Sequence, residues 1–378
     1  MRDGGTDPER LYLDHAATGP LRPVAASAMV STGAVGNPAA VHTAGRRARA
    51  MLDDAREQIA TLLGVRPLEL VFTSGGTEAD NLAVLGAAGA GADPVEISAV
   101  EHAAISGLAA PGLLGDRVRV LPVDAEGCVD PATIGTRGPA SVVSVMAVNN
   151  ETGTVQPVAQ CAEVSHRAGA LFHTDAVQAL GHLPFDLAAW DVDLASFSAH
   201  KIGGPVGIGA LWRRRGVDVA AVGAGGGQEA GVRSGTQMVA LARGFAAALA
   251  ESLAELDEAR RRWERLRDRL ASAAVAIDGV AVDGGRDVSP SIVHLSVEGA
   301  RGDDLQLLLD QDGVDCSTGS ACHAGVSAPS QVMLAMGRTP EQASSCLRFS
   351  FGPATTTAEI ERVAALLPEV VARARRAR

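Results

Sequence analysis

Lysine is all but absent from this chain. Its 33 basic residues comprise thirty-two arginines and one lysine, Lys201. In a sequence so rich in Ala, Gly and Arg, arginine stands wherever a positive charge is enough. The surviving lysine is expected to do what arginine cannot. A guanidinium stays protonated in proteins, whereas an amine can lose its proton and become a nucleophile. Aromatic residues make up only 3% of the chain, so Ala, Val and Leu must fill the core. The five cysteines are odd in number and lack framework spacing, which fits a reducing cytoplasm. No Cys-x-x-Cys pair or His-rich cluster points to a structural zinc site, so no metal is expected. No run of about eighteen apolar residues suggests a membrane span, and residues 1–8 lack the apolar stretch of a secretory signal. Positive charge is also in deficit. A formal net charge of −11 argues against direct nucleic-acid binding as the main function. Arg213-Arg214-Arg215 and the basic tail 372–378 are local exceptions, read as solubility and helix C-terminal charge.

What is present reads as a globular α/β protein. At 378 residues, 47% of them hydrophobic, the chain is long enough for two domains with real cores. Short β-branched runs at 69–73, 94–99, 117–122, 141–148, 170–175, 194–198 and 207–213 alternate with Ala/Leu-rich segments of helical period. Strands spaced by helix-length segments imply βαβ units and a mostly parallel sheet. Leu249, Leu253, Leu256, Trp263, Leu266 and Leu270 recur at the spacing of one long amphipathic helix, which leads from a large domain into a smaller one. Beyond it, 291–297 and 346–351 read as strands and 303–310 as a helix. The stretch 316–330, rich in small residues, reads as a mobile loop.

Several short segments carry chemistry. Lys201 lies in Ser198-Ala199-His200-Lys201-Ile202-Gly203-Gly204-Pro205, which does not look like a solvated face. An amine there suits Schiff-base formation with a carbonyl, of a substrate or of pyridoxal phosphate (PLP). Thr73-Ser74-Gly75-Gly76-Thr77-Glu78 reads as a strand end, a turn and a helix start, where free N–H groups and the Thr77 hydroxyl make a phosphate seat or simply an N-cap. Asp175 ends a strand, where α/β sheets collect ligands. It could pair with a pyridinium nitrogen, and Gln178, one helical turn later, could reach a ring hydroxyl. Asp175 could equally be a helix N-cap. His102 follows another strand, placed to stack on a ring and to move protons near neutral pH. Asn149-Asn150-Glu151 ends the 141–148 strand, and buried amides there can orient a carboxylate or ring hydroxyl. The Gly225-Gly226-Gly227 run precedes Arg233-Ser234-Gly235-Thr236, whose Thr236 hydroxyl is a candidate phosphate donor. Cys322 sits among small residues in Ser317-Thr318-Gly319-Ser320-Ala321-Cys322-His323, a candidate nucleophile, with Cys316 a bystander. Arg348, inside the apolar Cys346-Leu347-Arg348-Phe349-Ser350, needs an anion: an α-carboxylate or a structural salt bridge.

Together these segments resemble the cysteine desulfurases of the NifS/IscS kind, in the class V aminotransferase group of fold-type I PLP enzymes. The resemblance begins at Tyr12-Leu13-Asp14-His15-Ala16-Ala17-Thr18 and passes through Gly36-Asn37-Pro38. It then takes in every segment above in order, ending at Arg348. It implies a large PLP-binding domain over 15–250, with a mostly parallel seven-stranded sheet. A smaller α+β domain over 251–378, together with 1–14, would carry the catalytic cysteine. By resemblance, Lys201 holds PLP, Asp175 pairs with its ring nitrogen, and Gln178 and Asn150 contact its hydroxyl. His102 stacks on the ring and serves catalysis. Gly76, Thr77, Ser198 and His200 bind the phosphate. Thr236 reaches the phosphate of the other subunit, which implies a homodimer. Arg348, with Asn150, holds the carboxylate of L-cysteine, and Cys322 takes the sulfur as a persulfide. Two positions depart from the family pattern: Gly19 stands where a second Thr is usual, and His323 follows the cysteine where Thr or another small residue is expected.

The activity so implied is conversion of L-cysteine to L-alanine in the cytoplasm. Sulfur would pass to an acceptor protein, such as an iron–sulfur scaffold or a thiolation enzyme. Selenocysteine lyase is the nearest alternative and would be separated by relative turnover. A plain class V aminotransferase has no use for Cys322. A sulfur-carrier or assembly protein that acts mainly by binding partners would purify without PLP. A nicotinamide enzyme is disfavoured, because no Gly-x-Gly-x-x-Gly follows a first strand.

Overall fold

The seven β-branched runs become one sheet. The computed structural model describes residues 10–34, 36–89, 91–319 and 328–377. The strands are β1 (Leu70–Thr73), β2 (Val95–Ser98), β3 (Val118–Leu121), β4 (Val142–Ser144), β5 (Leu171–Asp175), β6 (Leu194–Ser198) and β7 (Gly209–Arg213). Their order across the sheet is β1-β7-β6-β5-β4-β2-β3. Only β7 runs antiparallel to its neighbours. The central strands are buried on both faces, and small serines stand among their apolar residues. The strand expected over 141–148 loses regular pairing after Ser144. Val145 and Ala147 still donate to the His173 and Asp175 carbonyls, but the intervening Met146 N–H goes to the Glu101 carboxylate at 2.8 Å.

Helices α1 (Pro23–Val30), α2 (Thr43–Leu62), α3 (Gly76–Ala88) and α4 (Val158–Arg167) flank this sheet. α3 packs on β6 and β7, while α1 and α2 lie against the long helix α5 (Val239–Val275). α5 begins ten residues before the Leu249 of the sequence pattern and continues unbroken to Val275. Its first half, with Phe245 and Leu249, belongs to the core around the sheet. Its second half, with Trp263, Leu266 and Leu270, belongs to a second core.

That second core is built on β8 (Val280–Asp283), β9 (Ile292–Val297) and β10 (Cys346–Ser350), antiparallel in the order β10-β9-β8. It is covered by α6 (Gly302–Gln311) and α7 (Thr357–Arg376), the latter opened by a Thr356/Glu359 capping box. The N-terminal Leu11–Tyr12 joins it by pairing in parallel with Val314–Asp315. Cys316, expected at the start of a mobile loop, is instead 5% exposed within this core. Cys322 and His323 lie outside the described residues. Among the described residues, no helix is long and apolar enough to cross a membrane.

Candidate active site

The C-terminal ends of β5 and β6 bring the main groups together. β5 ends in Asp175, 5% exposed, whose Oδ1 accepts the Val177 N–H at 2.8 Å. Burial pushes this carboxyl up, while His102 and Lys201 pull against the shift. The next strand, β6, ends in Ser198 and turns at once into the short helix Ala199–Ile202, which holds His200 and Lys201. The Lys201 Nζ donates to the carbonyls of Ala16 at 2.6 Å and Ala17 at 2.7 Å. Burial, then the charge of Arg348, lowers its pKa to about 8. Gln178 Nε2 donates to the same Ala16 carbonyl at 2.9 Å. The N-terminal strap therefore ties the two strand ends together.

The strap also accounts for Gly19. A Cβ there would lie 3.0 Å from the Gly203 nitrogen and 3.2 Å from the His200 carbonyl oxygen. A threonine would press on the backbone on either side of Lys201. Its neighbour Thr18 instead offers its hydroxyl to His200 Nδ1 at 3.1 Å. Burial and the Lys201 charge lower the His200 pKa to about 4, so this imidazole is neutral.

The residues present fit a planar, phosphorylated pyridine. α3 starts without a side-chain cap, leaving N–H groups of its first turn, at Gly76 and Thr77, for an anion. A Cβ on Gly76 would lie 3.6 Å from Ser198 Cβ, so the Ser198 hydroxyl is beside that helix start. Its oxygen is buried and has no hydrogen-bond partner among the described residues. A buried hydroxyl without a partner is costly unless a ligand supplies one. His102, exposed at the end of the β2 segment, caps Ala103–Ser106 by accepting the Ala104 N–H on Nδ1 at 3.1 Å. Burial of its surroundings lowers its pKa, although Asp175 opposes the shift.

Arg348, on β10, is 5% exposed. It donates to the Asn150 carbonyl at 2.8 Å and to Asp14 Oδ1 at 2.6 Å, while its Nε is buried without a partner among the described residues. The guanidinium thus has a structural anion in Asp14 and still has donor capacity. Asn150 stands half-buried beside it through that carbonyl. Thr236 is exposed, and no hydrogen bond among the described residues ties it to Asp175, Ser198 or Lys201.

Other groups were not singled out from the sequence. Asp14 was visible in the Tyr12–Thr18 motif, but only the fold shows that it meets Arg348. Beneath Asp175, His173 is fully buried between Ser144 Oγ and Ser196 Oγ, each at 2.9 Å, with Asp80 Oδ1 at 3.7 Å. Burial drives this histidine down to about 3, so it is neutral, and the same burial pushes the Asp80 carboxyl up. An acid on the inward face of α3, between Ala79 and Ala83, was the available signal. Glu101 is buried as well, accepting from Ser98 Oγ at 2.6 Å, and burial raises it to about 8.

The comparisons agree on a family. The family model described as Aminotransferase class-V matches residues 11–363. An IscS-like cysteine desulfurase of Mycobacterium tuberculosis is 42% identical over 384 residues, covering 97% of each chain. The cysteine desulfurase IscS of Methanosarcina thermophila is 36% identical, covering 98% of this chain and 94% of its own. A solved structure described as a NifS-like protein superposes with a TM-score of 0.87 at 33% identity, covering 96% of this chain and 99% of that one.

Proposed function

The chain belongs to the class V aminotransferase family, among its NifS/IscS-type cysteine desulfurases, and from that membership we propose how its own residues divide the work. It is a PLP-dependent enzyme that takes sulfur from L-cysteine. The observation that carries the division of roles is the chain's single lysine, half-buried just past the end of β6 with its amine lowered to about 8.

Bound PLP supplies an electron sink for the pair left when the substrate's Cα proton departs. Lys201 would hold its aldehyde. Ser198, His200 and the first turn of α3 at Gly76 and Thr77 would hold its phosphate. Asp175 would keep a proton on the ring nitrogen. Gln178 and Asn150 would contact the ring hydroxyl, and His102 would stack on the ring. With its pKa near neutral, Lys201 is neutral often enough to take the Cα proton and to return one. His102 accepts the Ala104 N–H on Nδ1, so its neutral form carries the proton on Nε2, free to donate outward. Arg348 receives the substrate carboxylate, which competes with Asp14 for the guanidinium.

Cys322 then takes the sulfur. Its thiolate attacks the substrate sulfur, a new S–S bond forms, and the C–S bond breaks. The electron pair of that bond stays with the carbon, which gains a proton and becomes the methyl of L-alanine. The persulfide passes to an acceptor protein, an iron–sulfur scaffold or a thiolation enzyme, in the cytoplasm. Residues 15–250 form the cofactor domain, and 251–378 with 1–14 the smaller one. Thr236, exposed within its own chain, serves the phosphate seat of a second copy, so the working unit is a homodimer.

Cys322→Ser tests this assignment. The variant is expected to bind PLP and still change colour with L-cysteine, yet release little alanine. Mass spectrometry of the wild type after brief exposure to cysteine should find one extra sulfur on the peptide containing Cys322. Cys316→Ser should keep most of the activity, since Cys316 is buried and its thiol pushed far up by that burial. Sulfur found on Cys316, or full turnover in Cys322→Ser, overturns the choice of nucleophile.

A further inference from the structure

Two buried groups outside the cofactor-binding set converge on the ends of the cysteine-bearing stretch. On its N-terminal side, Ser317 forms a β-bridge with Arg348, with N···O distances of 2.6 and 3.1 Å. Two residues later, Gly319 adopts a φ of +80°, and a Cβ built there would lie 3.2 Å from Glu151 Oε2 and 3.3 Å from His294 Nε2. On the C-terminal side, Ser330 donates its hydroxyl to the same Glu151 Oε2 at 2.5 Å while accepting the Met333 N–H at 3.1 Å. One carboxylate oxygen therefore bonds Ser330 at one end of 319–330 and borders the Gly319 backbone at the other.

His294 backs this carboxylate. It is fully buried on β9, in register with Asp283 on β8, and its Nδ1 lies 3.0 Å from Asp283 Oδ2. Its Nε2 is buried with no partner among the described residues and borders the Gly319 backbone. Burial opposes a charge on this ring, but Asp283 and the adjacent Cys346 outweigh it and raise the pKa to about 10. Arg338 lies 3.4 Å from the other Asp283 oxygen, and Arg348 and His294 both act on Glu151 against its burial. A buried carboxylate needs such a compensating charge. Glu151 is itself fixed by its turn, because the Asn149 side chain accepts the N–H groups of Glu151 and Thr152, both at 2.9 Å. That turn also supplies the Asn150 carbonyl to Arg348.

We propose that Glu151, backed by the Asp283–His294 pair, is a positioning residue that bonds Ser330 at one end of the Cys322-bearing stretch, abuts Gly319 at the other, and so sets the rate of sulfur transfer without taking part in cofactor binding. The proposal rests on the desulfurase reading, because it assigns these residues to the step that only Cys322 performs.

Three variants of the holoenzyme test it: His294→Asn, Ser330→Ala and Gly319→Ala. The last replaces no titratable group but places a Cβ against both Glu151 and His294. Each is expected to keep its PLP content, its first colour change with L-cysteine and its KM. Persulfide on Cys322, followed by mass spectrometry in a single turnover, should form about tenfold more slowly or worse. Alkylation of Cys322 by iodoacetamide in the absence of cysteine should also change in rate. A persulfide rate equal to wild type in all three variants overturns the proposal. So does a loss spread equally over PLP content, KM and turnover, which marks a merely structural cluster. A wild type that forms no persulfide overturns the desulfurase reading itself, whereas a competent wild type matched by its variants overturns only this inference.

Discussion

At position 201 a guanidinium could supply the charge of the amine but not its chemistry. Lys201 donates to two backbone carbonyls, a role arginine could also fill. Its distinctive property is a pKa lowered to about 8, within reach of a neutral, nucleophilic form. Lys201→Arg is therefore expected to abolish the covalent PLP adduct trapped by borohydride, together with alanine release, while leaving the fold intact by circular dichroism. The wild-type apoenzyme should capture PLP faster as pH rises through about 8, because the neutral amine is the reactive form. A borohydride-stable adduct on Lys201→Arg, or capture that slows over that range, would remove Lys201 from its role. This residue was legible in the sequence because of its rarity and its setting. Arg348 was half legible: its burial demanded an anion, but that Asp14 meets it is a contact over more than three hundred residues. His294 gave no signal at all. Only the β8–β9 register places it opposite Asp283.

Elements were easier to read than contacts, because strand and helix periodicity is local. Every strand of the large sheet falls within an expected run, since each is a short segment with buried residues set off by helix-length segments. The start of α5 was missed because Val239, Ala242, Phe245, Ala246 and Ala248 bury a face with small residues that blur the leucine spacing. The pairing of α2 with the stretch before Thr236 could not be read either. Arg56 on α2 makes a two-pronged contact with Glu229 at 2.8 and 2.7 Å, and both residues are buried. Glu229 also accepts the Phe72 N–H at 2.9 Å, which fastens it to β1. The glutamate and the following Ala230 hold positive φ values of 48° and 57°, an unfavourable backbone that these bonds sustain. Glu229→Ala leaves Arg56 buried without a counter-charge and should cost about 3–5 kcal/mol of stability. Urea unfolding followed by circular dichroism measures it, and a loss below about 1 kcal/mol would show that Arg56 finds water or another partner.

For the whole molecule, the consequential feature is how the 225–237 stretch presents Thr236. It is anchored at Glu229 and, through Arg233 to Glu78 at 2.9 Å, to the first turn of α3, yet Thr236 itself faces outward. In the proposed homodimer, Thr236 completes the phosphate seat of the opposite subunit, and this division of labour can be separated by mixing. A homodimer of Lys201→Arg should be inactive, and a homodimer of Thr236→Ala should hold PLP weakly in both sites. In a heterodimer of the two variants, one site carries both defects. The other combines an intact Lys201 with an intact Thr236 from its neighbour. If Thr236 acts across the interface, that second site is complete, and the purified heterodimer should turn over cysteine at about half the wild-type rate at limiting PLP. If Thr236 acts within its own chain, each site of the heterodimer carries one lesion. Activity then stays at half that of the Thr236→Ala homodimer. Differently tagged subunits, co-expressed and purified through both tags, distinguish these outcomes in one titration of activity against PLP.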